Sequence, residues 1–346
     1  MATGELTIDL QAVVANWRAL DAMGEAETAA VVKADGYGLG AGAVARALSD
    51  AGARSFFVAD ASEGAALRSA IGDAADVFVF GGHQSGDTEA ISAHRLTPLL
   101  NSPEQWRLHR EALPEHPFGI QLDTGMSRLG FQPPDWSACR EELLAARPAL
   151  VMSHLACADE PDHPMNAGQL RAFREMTDGI GVRRSLAATG GVLLGAGYHF
   201  DLVRPGVGLY GGQPFADAEP VVRLSLPVIQ TRDVPEGAVA GYGATWVARR
   251  PSRLATVSGG YADGLLRALS NGCGLWAGDT RCPLAGRVSM DLLIVDVTDL
   301  PNCPRSLDII GPRQGIDDLA AAAGTIGYEI LTSLGSRYRR LKGSST

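Results

Sequence analysis

A lysine at the end of an apolar run is the first residue whose position suggests chemistry. Lys33 directly follows Val31 and Val32 and leads into the glycine-rich part of AVVKADGYGLG (Ala30–Gly40). Lysine is usually a solvated surface residue, but a lysine in an apolar environment can lose its proton and form a Schiff base with a carbonyl compound. The spacing leaves two interpretations open: a nucleophilic lysine in a cleft, or a surface lysine whose charge reaches water.

A second segment, DLVRPGVGLYG (Asp201–Gly211), combines an arginine with a flexible turn. Gly206 allows a ligand to approach the main chain closely. The amides of Gly206 and Val207 could donate to a phosphate group, as loops after the last strands of α/β barrels often do. Arg204 would lie at the base of the same turn. The alternative is an ordinary strand–turn–helix connection in which Arg204 pairs with an acidic side chain.

Two tyrosines lie beside glycines in the second half of the chain. Tyr242 is part of GYG (Gly241–Gly243), Tyr261 is part of GGYADG (Gly259–Gly264), and GRVSMD (Gly286–Asp291) follows. A tyrosine on a glycine-rich turn is easily exposed, and a tyrosine with a lowered pKa can act as a general acid or base. Most tyrosines are packing residues with a hydrogen-bonded hydroxyl. Each motif alone is therefore weak, and the ordered set carries the information.

The first two hundred residues alternate β-type runs with helix-type stretches such as Ala41–Ala51, Glu63–Ser69 and Ala167–Met176. Buried parallel strands read as continuous apolar runs, and each needs a crossover, usually helical, to reach the next one. Eight such units predict a closed (β/α)8 barrel, with an open, doubly wound sheet as the alternative. The eight runs are Ala29–Ala34, Ser55–Asp60, Asp76–Phe80, Leu96–Leu100, Phe118–Asp123, Ala149–His154, Arg184–Thr189 and Asp201–Gly206.

After about Gly212 the pattern changes to short β-type runs joined by Pro and Gly turns, with a helix near Gly327–Leu334. This change predicts an α/β barrel domain at residues 1–212 and a mainly β domain at residues 213–346. Leu6–Leu20 has strand and then helix character, and residues 1–10 could pair with the C-terminal domain. The later β-type runs are Arg223–Val234, Arg253–Gly259, Gly274–Trp276 and Leu292–Val297.

The composition disfavours several classes of function. Hydrophobic residues make up 46% and charged residues 20% of the chain, which indicates a folded core. A net charge of −9 disfavours binding to nucleic acid. No apolar run approaches the roughly 18 residues of a membrane span, and the acidic residue in MATGELTIDL argues against a signal peptide. Five cysteines without a CxxC pair predict no zinc or other metal site and fit a reducing cytoplasm.

Taken in order over almost the whole chain, these segments resemble the motifs of the alanine racemase family. The resemblance implies a pyridoxal-phosphate enzyme that interconverts L- and D-alanine by a two-base mechanism and supplies D-alanine for peptidoglycan. The family fold, a (β/α)8 barrel followed by a mainly β domain, agrees with the pattern of elements above. The further matching motifs are DTGMSRLG (Asp123–Gly130), SHLACADE (Ser153–Glu160), GYGATW (Gly241–Trp246) and GTIGYEILTSLGSRYRR (Gly324–Arg340).

The resemblance implies a cofactor site in the barrel domain. Lys33 is similar to the lysine that holds pyridoxal phosphate as an internal aldimine, and Arg204 to the arginine that faces the pyridine nitrogen. Because a guanidinium cannot accept a proton, Arg204 should leave that nitrogen unprotonated and make the ring a weaker electron sink. His154 resembles the histidine that orients this arginine. The residues expected around the phosphate are Tyr37, Thr189, Gly206, Val207 and Tyr328.

Racemisation requires proton-transfer groups on the two faces of a planar Cα carbanion. The resemblance implies that Lys33 abstracts the proton from D-alanine and Tyr242 the proton from L-alanine. Tyr242 would come from the partner subunit, which implies a homodimer with shared active sites. Arg128 resembles the arginine that reaches the cofactor phenolate and the substrate carboxylate. Tyr261 and Met290 resemble residues of the substrate entrance and the carboxylate site.

The chain departs from the family pattern at three places. Gln121 stands where many members have a lysine, often carbamylated, and its side-chain carbonyl could still accept a hydrogen bond from Arg128. Ala188 and Thr189 replace an Asn-Ser pair, so an amide near the cofactor is lost while a hydroxyl is kept. Trp246 replaces the tyrosine that usually ends GYGATY. These departures bear on substrate preference and cofactor affinity more than on the type of reaction.

Other functions fit parts of the pattern. The nearest is a racemase of altered or broad specificity that acts on serine or a basic amino acid. A barrel-type amino-acid decarboxylase would have a longer chain and a catalytic cysteine motif, in which Cys273, Cys282 and Cys303 do not lie. A non-catalytic pyridoxal-phosphate carrier would be a single barrel, whereas this chain has a second domain with Tyr242 and Met290.

Overall fold

The computed structural model describes residues 4–343, which divide into two compact units. The barrel unit consists of residues 13–209 and 214–218. The β unit consists of residues 4–12, 210–213 and 219–343. Most of the β unit thus follows the barrel unit in the sequence, but it also includes the beginning of the described chain.

The barrel unit is built around seven parallel strands that hydrogen-bond to one another in chain order. In the first six of them the central residues are apolar and buried, as expected for strands covered on both faces, whereas the seventh strand is polar. The predicted runs are therefore confirmed as strands, although several strands are shorter than the runs. The seven strands are Ala30–Val31, Ser55–Val58, Asp76–Val79, Thr97–Leu100, Gly119–Gln121, Val151–Met152 and Arg184–Ser185.

An eighth strand, Leu202–Val203, closes the sheet into a barrel. It pairs in parallel with Glu27–Thr28, which lies directly before the first of the seven strands. On its other side, the amide of Arg204 donates to the carbonyl of Ala187 at 2.8 Å, next to the last of the seven strands. The (β/α)8 barrel is therefore confirmed, and the open sheet is excluded.

Helices connect the barrel strands, and some of them begin at residues that favour helix starts. Asp60 accepts hydrogen bonds from the amides of Ser62 and Glu63, and Ser102 accepts one from Gln105, so both side chains cap helices. No helix within residues 4–343 combines the length and the apolar character needed to cross a membrane. The helices are Leu10–Asp21, Ala41–Ala51, Ala61–Ile71, Thr88–Ala93, Pro103–Ala112, Pro133–Ala145, Pro164–Thr177 and Thr189–Leu193.

The β unit is organised around one long strand, Val222–Val234. Its register shifts between Val228 and Gln230, and its second half pairs with Ser252–Ser258 while its first half pairs with Ser306–Ile310. The other strands are Val239–Ala240, Trp246–Val247, Gly274–Ala277, Thr280–Pro283 and Leu292–Asp296, and the helices are Ile316–Ala323 and Gly327–Ser333.

The N-terminal strand, Glu5–Ile8, belongs to the sheet of the β unit. It pairs antiparallel with Val222–Val234 on one side and parallel with Arg339–Lys342 on the other. Residues 1–3 of the segment predicted to pair with the C-terminal domain lie outside the described residues. The described part of that segment does make the predicted pairing.

A left-handed turn follows the first barrel strand, directly after Lys33. Ala34, Asp35, Gly36 and Tyr37 have φ angles of 52°, 53°, 64° and 55°. Only glycine adopts this conformation freely, and each L-residue with a Cβ costs roughly 1–2 kcal/mol relative to the right-handed form. Three of the four residues carry a Cβ, so this turn stores conformational strain beside the candidate nucleophile.

We expect Ala34→Gly to raise the free energy of unfolding by about 1 kcal/mol, because glycine removes the Cβ strain at a positive φ. Urea unfolding of the purified protein measures this change. Ala47→Gly, in the middle of the helix Ala41–Ala51, is the matched control and should lower the stability by about 1 kcal/mol. Equal destabilisation by both substitutions would show that the turn is not strained at Ala34.

Candidate active site

Lys33 lies half-buried at the C-terminal end of the first barrel strand, where barrel active sites are built. Burial lowers the pKa of its ammonium group, the positive charge of Arg128 lowers it further, and the carboxylate of Glu63 acts in the opposite direction. The Nζ atom lies 5.6 Å from the centre of the Phe80 ring. A lysine in this environment loses its proton more easily than a surface lysine and is correspondingly more nucleophilic.

Glu63 is a site residue that the sequence analysis missed. Its Oε1 accepts a hydrogen bond from the amide of Ala34 at 2.7 Å, and its Oε2 accepts one from the amide of Ala59 at 2.8 Å. One carboxylate thus joins the turn after Lys33 to the end of the neighbouring strand. In the sequence, Glu63 reads as an ordinary residue in the first turn of a helix, so no motif could have found it.

Arg204 is completely enclosed in the barrel, with 1% of its surface exposed. Its Nη2 donates to the carbonyl of Ser153 at 2.7 Å, and its Nη1 donates to the hydroxyl of Ser185. No carboxylate within residues 4–343 forms an ion pair with it, so the alternative of an ordinary Arg–acid pair is wrong. Burial lowers its pKa to about 9, which leaves the guanidinium protonated near neutral pH.

The imidazole of His154 is held in its neutral form. Burial lowers its pKa to about 3, together with the positive charges of Arg204, Arg128 and Lys33. Within the described chain, the ring makes no hydrogen bond to Arg204, and the backbone carbonyl of Ser153 and the Ser185 side chain hold this arginine instead. Backbone partners of this kind leave no signal in the sequence.

Tyr37, Thr189 and the turn after Arg204 form a small polar cradle. The hydroxyl of Thr189 accepts hydrogen bonds from the amides of Gly206 and Gly208 at 3.1 and 3.2 Å, which leaves its own proton to donate. A Cβ added at Gly206 would collide with the hydroxyl of Tyr37. Val207 lies between the two glycines. Two hydroxyls and a glycine-rich backbone suit the oxygens of a phosphate group.

Arg128 lies on the loop after the fifth of the seven strands and lines a cleft of ≈ 500 Å³. The buried amide of Gln121 donates from Nε2 to the carbonyl of Leu129 at 3.4 Å. No hydrogen bond joins Gln121 to Arg128 in the described chain, so the expected contact between them is not formed. Ala188 forms a backbone bridge with Arg204 and brings no polar group to it.

In the β unit, the motifs that contain Tyr242 and Met290 meet. Tyr242 begins a short turn flanked by Gly241 and Gly243, both with positive φ, and 70% of its surface is exposed. A Cβ added at Gly243 would contact the guanidinium of Arg287, three residues before Met290. Trp246 is half-buried against a small apolar cluster after the same turn.

Tyr261 and Met290 are also neighbours in the β unit. The amide of Tyr261 donates to the carbonyl of Ser289 at 3.0 Å, and the side chains of Tyr261 and Met290 are 44% and 53% exposed. Tyr328 lies on the helix Gly327–Ser333 of the same unit. The predicted site residues thus fall into two groups, one in each unit.

The barrel group has a marked excess of positive charge. Arg128 and Arg204 are cationic, Lys33 adds a further positive charge while it is protonated, and Glu63 is the carboxylate that acts on the Lys33 pKa. Such a site favours a ligand with several negative charges, and a nucleophilic lysine adds the ability to bond a carbonyl carbon. No cluster of His, Cys, Asp or Glu side chains between residues 4 and 343 could hold a metal ion.

Comparison with known proteins identifies the family. A family model described as "Alanine racemase, N-terminal domain" matches residues 8–214, and "Alanine racemase, C-terminal domain" matches residues 221–342. A curated relative from Jannaschia sp., named "Alanine racemase", is 66% identical over 98% of this chain and 99% of its own.

Solved structures agree with this assignment. The alanine racemase of Bartonella henselae, whose crystal structure has covalently bound pyridoxal phosphate, has a TM-score of 0.92 at 37% identity over 99% of this chain and 100% of its own. The biosynthetic alanine racemase of Pseudomonas aeruginosa has a TM-score of 0.93 at 36% identity over the same shares. The resemblance found in the sequence is therefore confirmed, and the chain belongs to the alanine racemase family of isomerases.

Proposed function

We propose that this protein interconverts L-alanine and D-alanine with pyridoxal phosphate bound in the barrel unit. One observation carries the proposal: a half-buried lysine with a lowered pKa shares its surroundings with cationic Arg128 and neutral His154. This combination offers a covalent anchor for an aldehyde beside groups that attract anions. The family assignment supplies the reaction class.

The residues of the barrel unit fit the cofactor. Lys33 would hold it covalently through Nζ, while Tyr37, Thr189 and the amides near Gly206 would bind its phosphate. Arg204, charged and without a carboxylate partner, would donate to the pyridine nitrogen and leave that nitrogen without a proton. Bound pyridoxal phosphate supplies an electron sink that makes the Cα proton of an amino acid removable.

Two side chains would move the Cα proton. Lys33 would take it from D-alanine and return it when the reaction runs in the other direction, and Tyr242 would do the same on the opposite face for L-alanine. The exposure of Tyr242 supports a role outside the packing of its own unit. We propose that it reaches the site of a partner subunit in a homodimer.

The substrate carboxylate would be bound by Arg128, with Tyr261 and Met290 at the entrance. The guanidinium of Arg128 makes no hydrogen bond or ion pair to any residue between 4 and 343, although it acts on the pKa values of Lys33 and His154. A free guanidinium matches the two oxygens of a carboxylate.

The proposed role is the supply of D-alanine for peptidoglycan in the cytoplasm. The five cysteines are all free thiols, which fits a reducing compartment. Serine or broad-specificity racemisation is the second candidate, because Gln121 and Ala188 give this barrel fewer charged and amide groups than the family pattern.

A racemisation assay with a panel of L-amino acids tests the proposal. The purified protein should be yellow and should racemise alanine with the highest kcat/KM. A higher kcat/KM for serine would favour the second candidate. A yellow protein that racemises no amino acid would contradict the proposed function and indicate a carrier of the cofactor.

Tyr242→Phe should separate the two faces of the reaction. Loss of the hydroxyl should slow solvent-hydrogen exchange at Cα of L-alanine by about 10²–10⁴-fold, the usual contribution of a general base. Exchange at Cα of D-alanine should survive better, because Lys33 is intact. Tyr198→Phe in the barrel unit is the control and should leave both exchange rates within about twofold. Equal losses from the two enantiomers would count against Tyr242 as a base for one face.

A further inference from the structure

Arg337 binds two carboxylates of the β unit at once. Its Nε and Nη2 donate to the two oxygens of Asp263 at 2.7 and 2.8 Å, and its Nη1 donates to Oδ1 of Asp291 at 2.8 Å. Paired N–H donors that match both oxygens of a carboxylate give a strong and directional contact. Lysine keeps the charge but cannot reproduce this geometry.

Asp263 is fixed from several directions. Its side chain is buried, and its Oδ2 also accepts a hydrogen bond from the amide of Gly260 at 2.9 Å. Its backbone carbonyl accepts one from the amide of Gly335 at 3.0 Å. Since a buried carboxylate needs a cation beside it, Arg337 and the loop around Asp263 depend on each other.

The two carboxylates lie on the two loops that carry proposed substrate residues. Tyr261 precedes Asp263 by two positions, and Met290 directly precedes Asp291. The amide of Ala262 donates to the carbonyl of Met290 at 3.0 Å, next to the bond from Tyr261 described above. Arg337 therefore joins, through side chains, two loops that the backbone already holds in register.

Backbone hydrogen bonds join the two loops, but the side chains at their tips have little support of their own. The side chains of Tyr261 and Met290 are roughly half exposed, so packing does not fix them, and their positions follow from the backbone below. We propose that Arg337 is a positioning residue that sets the separation of Tyr261 and Met290 and thereby the recognition of the substrate. This inference rests on the proposed function in one respect, that these two side chains meet the substrate.

Arg337→Lys tests the proposal in the holoenzyme. The KM for alanine should rise about tenfold while kcat changes less than about threefold, because a loosened binding surface loses affinity in the ground state and the transition state alike. The preference for alanine over serine, measured as the ratio of kcat/KM values, should fall. The amides of Tyr261 and Ala262 should exchange hydrogen faster.

Arg250→Lys is the matched control. Arg250 and Asp299 form an exposed ion pair of 2.6 Å in the same unit, and such pairs contribute little to stability. This variant should leave KM, kcat and the two amide exchange rates unchanged. Should Arg337→Lys fail to fold, Asp291→Asn removes the second carboxylate, keeps the pair with Asp263, and should give the same pattern.

Two results would overturn the proposal. In the first, the Arg337→Lys variant has the same KM for alanine and the same amide exchange rates as the Arg250→Lys variant. The other is a lower melting temperature with KM unchanged, which would mean that Arg337 supports the fold alone. If the wild-type protein did not racemise alanine, the proposed function would fail. The exchange rates of the Tyr261 and Ala262 amides would still decide whether Arg337 holds the loops together.

Discussion

Lys33→Ala is expected to lower racemisation of alanine by at least about 10³-fold in both directions, because one residue supplies the covalent anchor and a proton-transfer group. The half-buried position and lowered pKa of Lys33 are the physical basis of this expectation. Borohydride should reduce the wild-type protein to a stable adduct on the peptide that contains Lys33. Mass spectrometry of the digest should find no such adduct in the variant.

The sequence offers a clean control for this experiment. Lys342 is the only other lysine of the chain, and it lies on the last strand of the β unit. Lys342→Ala should keep both the activity and the adduct. A borohydride adduct on Lys342, or activity retained by Lys33→Ala, would disprove the assignment of Lys33 as the residue that binds the cofactor.

A mixture of two inactive variants should recover activity. If Lys33 of one subunit works with Tyr242 of its partner, a heterodimer of Lys33→Ala and Tyr242→Phe chains contains one site with both changes and one site with neither. Each heterodimer should therefore show up to about half the activity of the wild-type dimer. The measurement is the racemisation rate after the two variants are mixed under conditions that allow subunits to exchange.

The absence of recovery has a definite meaning. If both residues of a site came from the same chain, each site of the heterodimer would keep one lesion and mixing would restore nothing. Tagging the two chains differently and purifying the doubly tagged dimer confirms that exchange has occurred. An inactive, doubly tagged dimer would then contradict the shared site.

The barrel could be predicted because its strands are buried on both faces. Runs such as Ser55–Asp60 and Asp76–Phe80 are continuous and apolar, and they align with the strands Ser55–Val58 and Asp76–Val79. Strand ends were less predictable. Ala149–His154 contains a strand of only two residues, Val151–Met152, although the amide of Ser153 still donates to the carbonyl of Ser185.

The left-handed turn shows a limit of reasoning from single residue types. Gly36 alone would have been assigned a positive φ, yet Ala34, Asp35 and Tyr37 adopt it too. The amide of Ala34 is held by Glu63, a partner distant in sequence that no local pattern indicates. The contacts of Arg204 were hidden for a related reason, since the carbonyl of Ser153 exists whatever side chain stands there.

The pairing of Glu5–Ile8 with Arg339–Lys342 constrains when the protein can fold during synthesis. Glu5 and Arg339 are 334 positions apart, so the ribosome must add that many residues before the two strands can meet. At translation rates of about 5–20 residues per second the N-terminal strand waits roughly 15–70 s for its neighbour, with an edge free to pair elsewhere. The acidic residues at its two ends, Glu5 at its start and Asp9 just after its end, make that edge a poor template for aggregation on a crowded polysome.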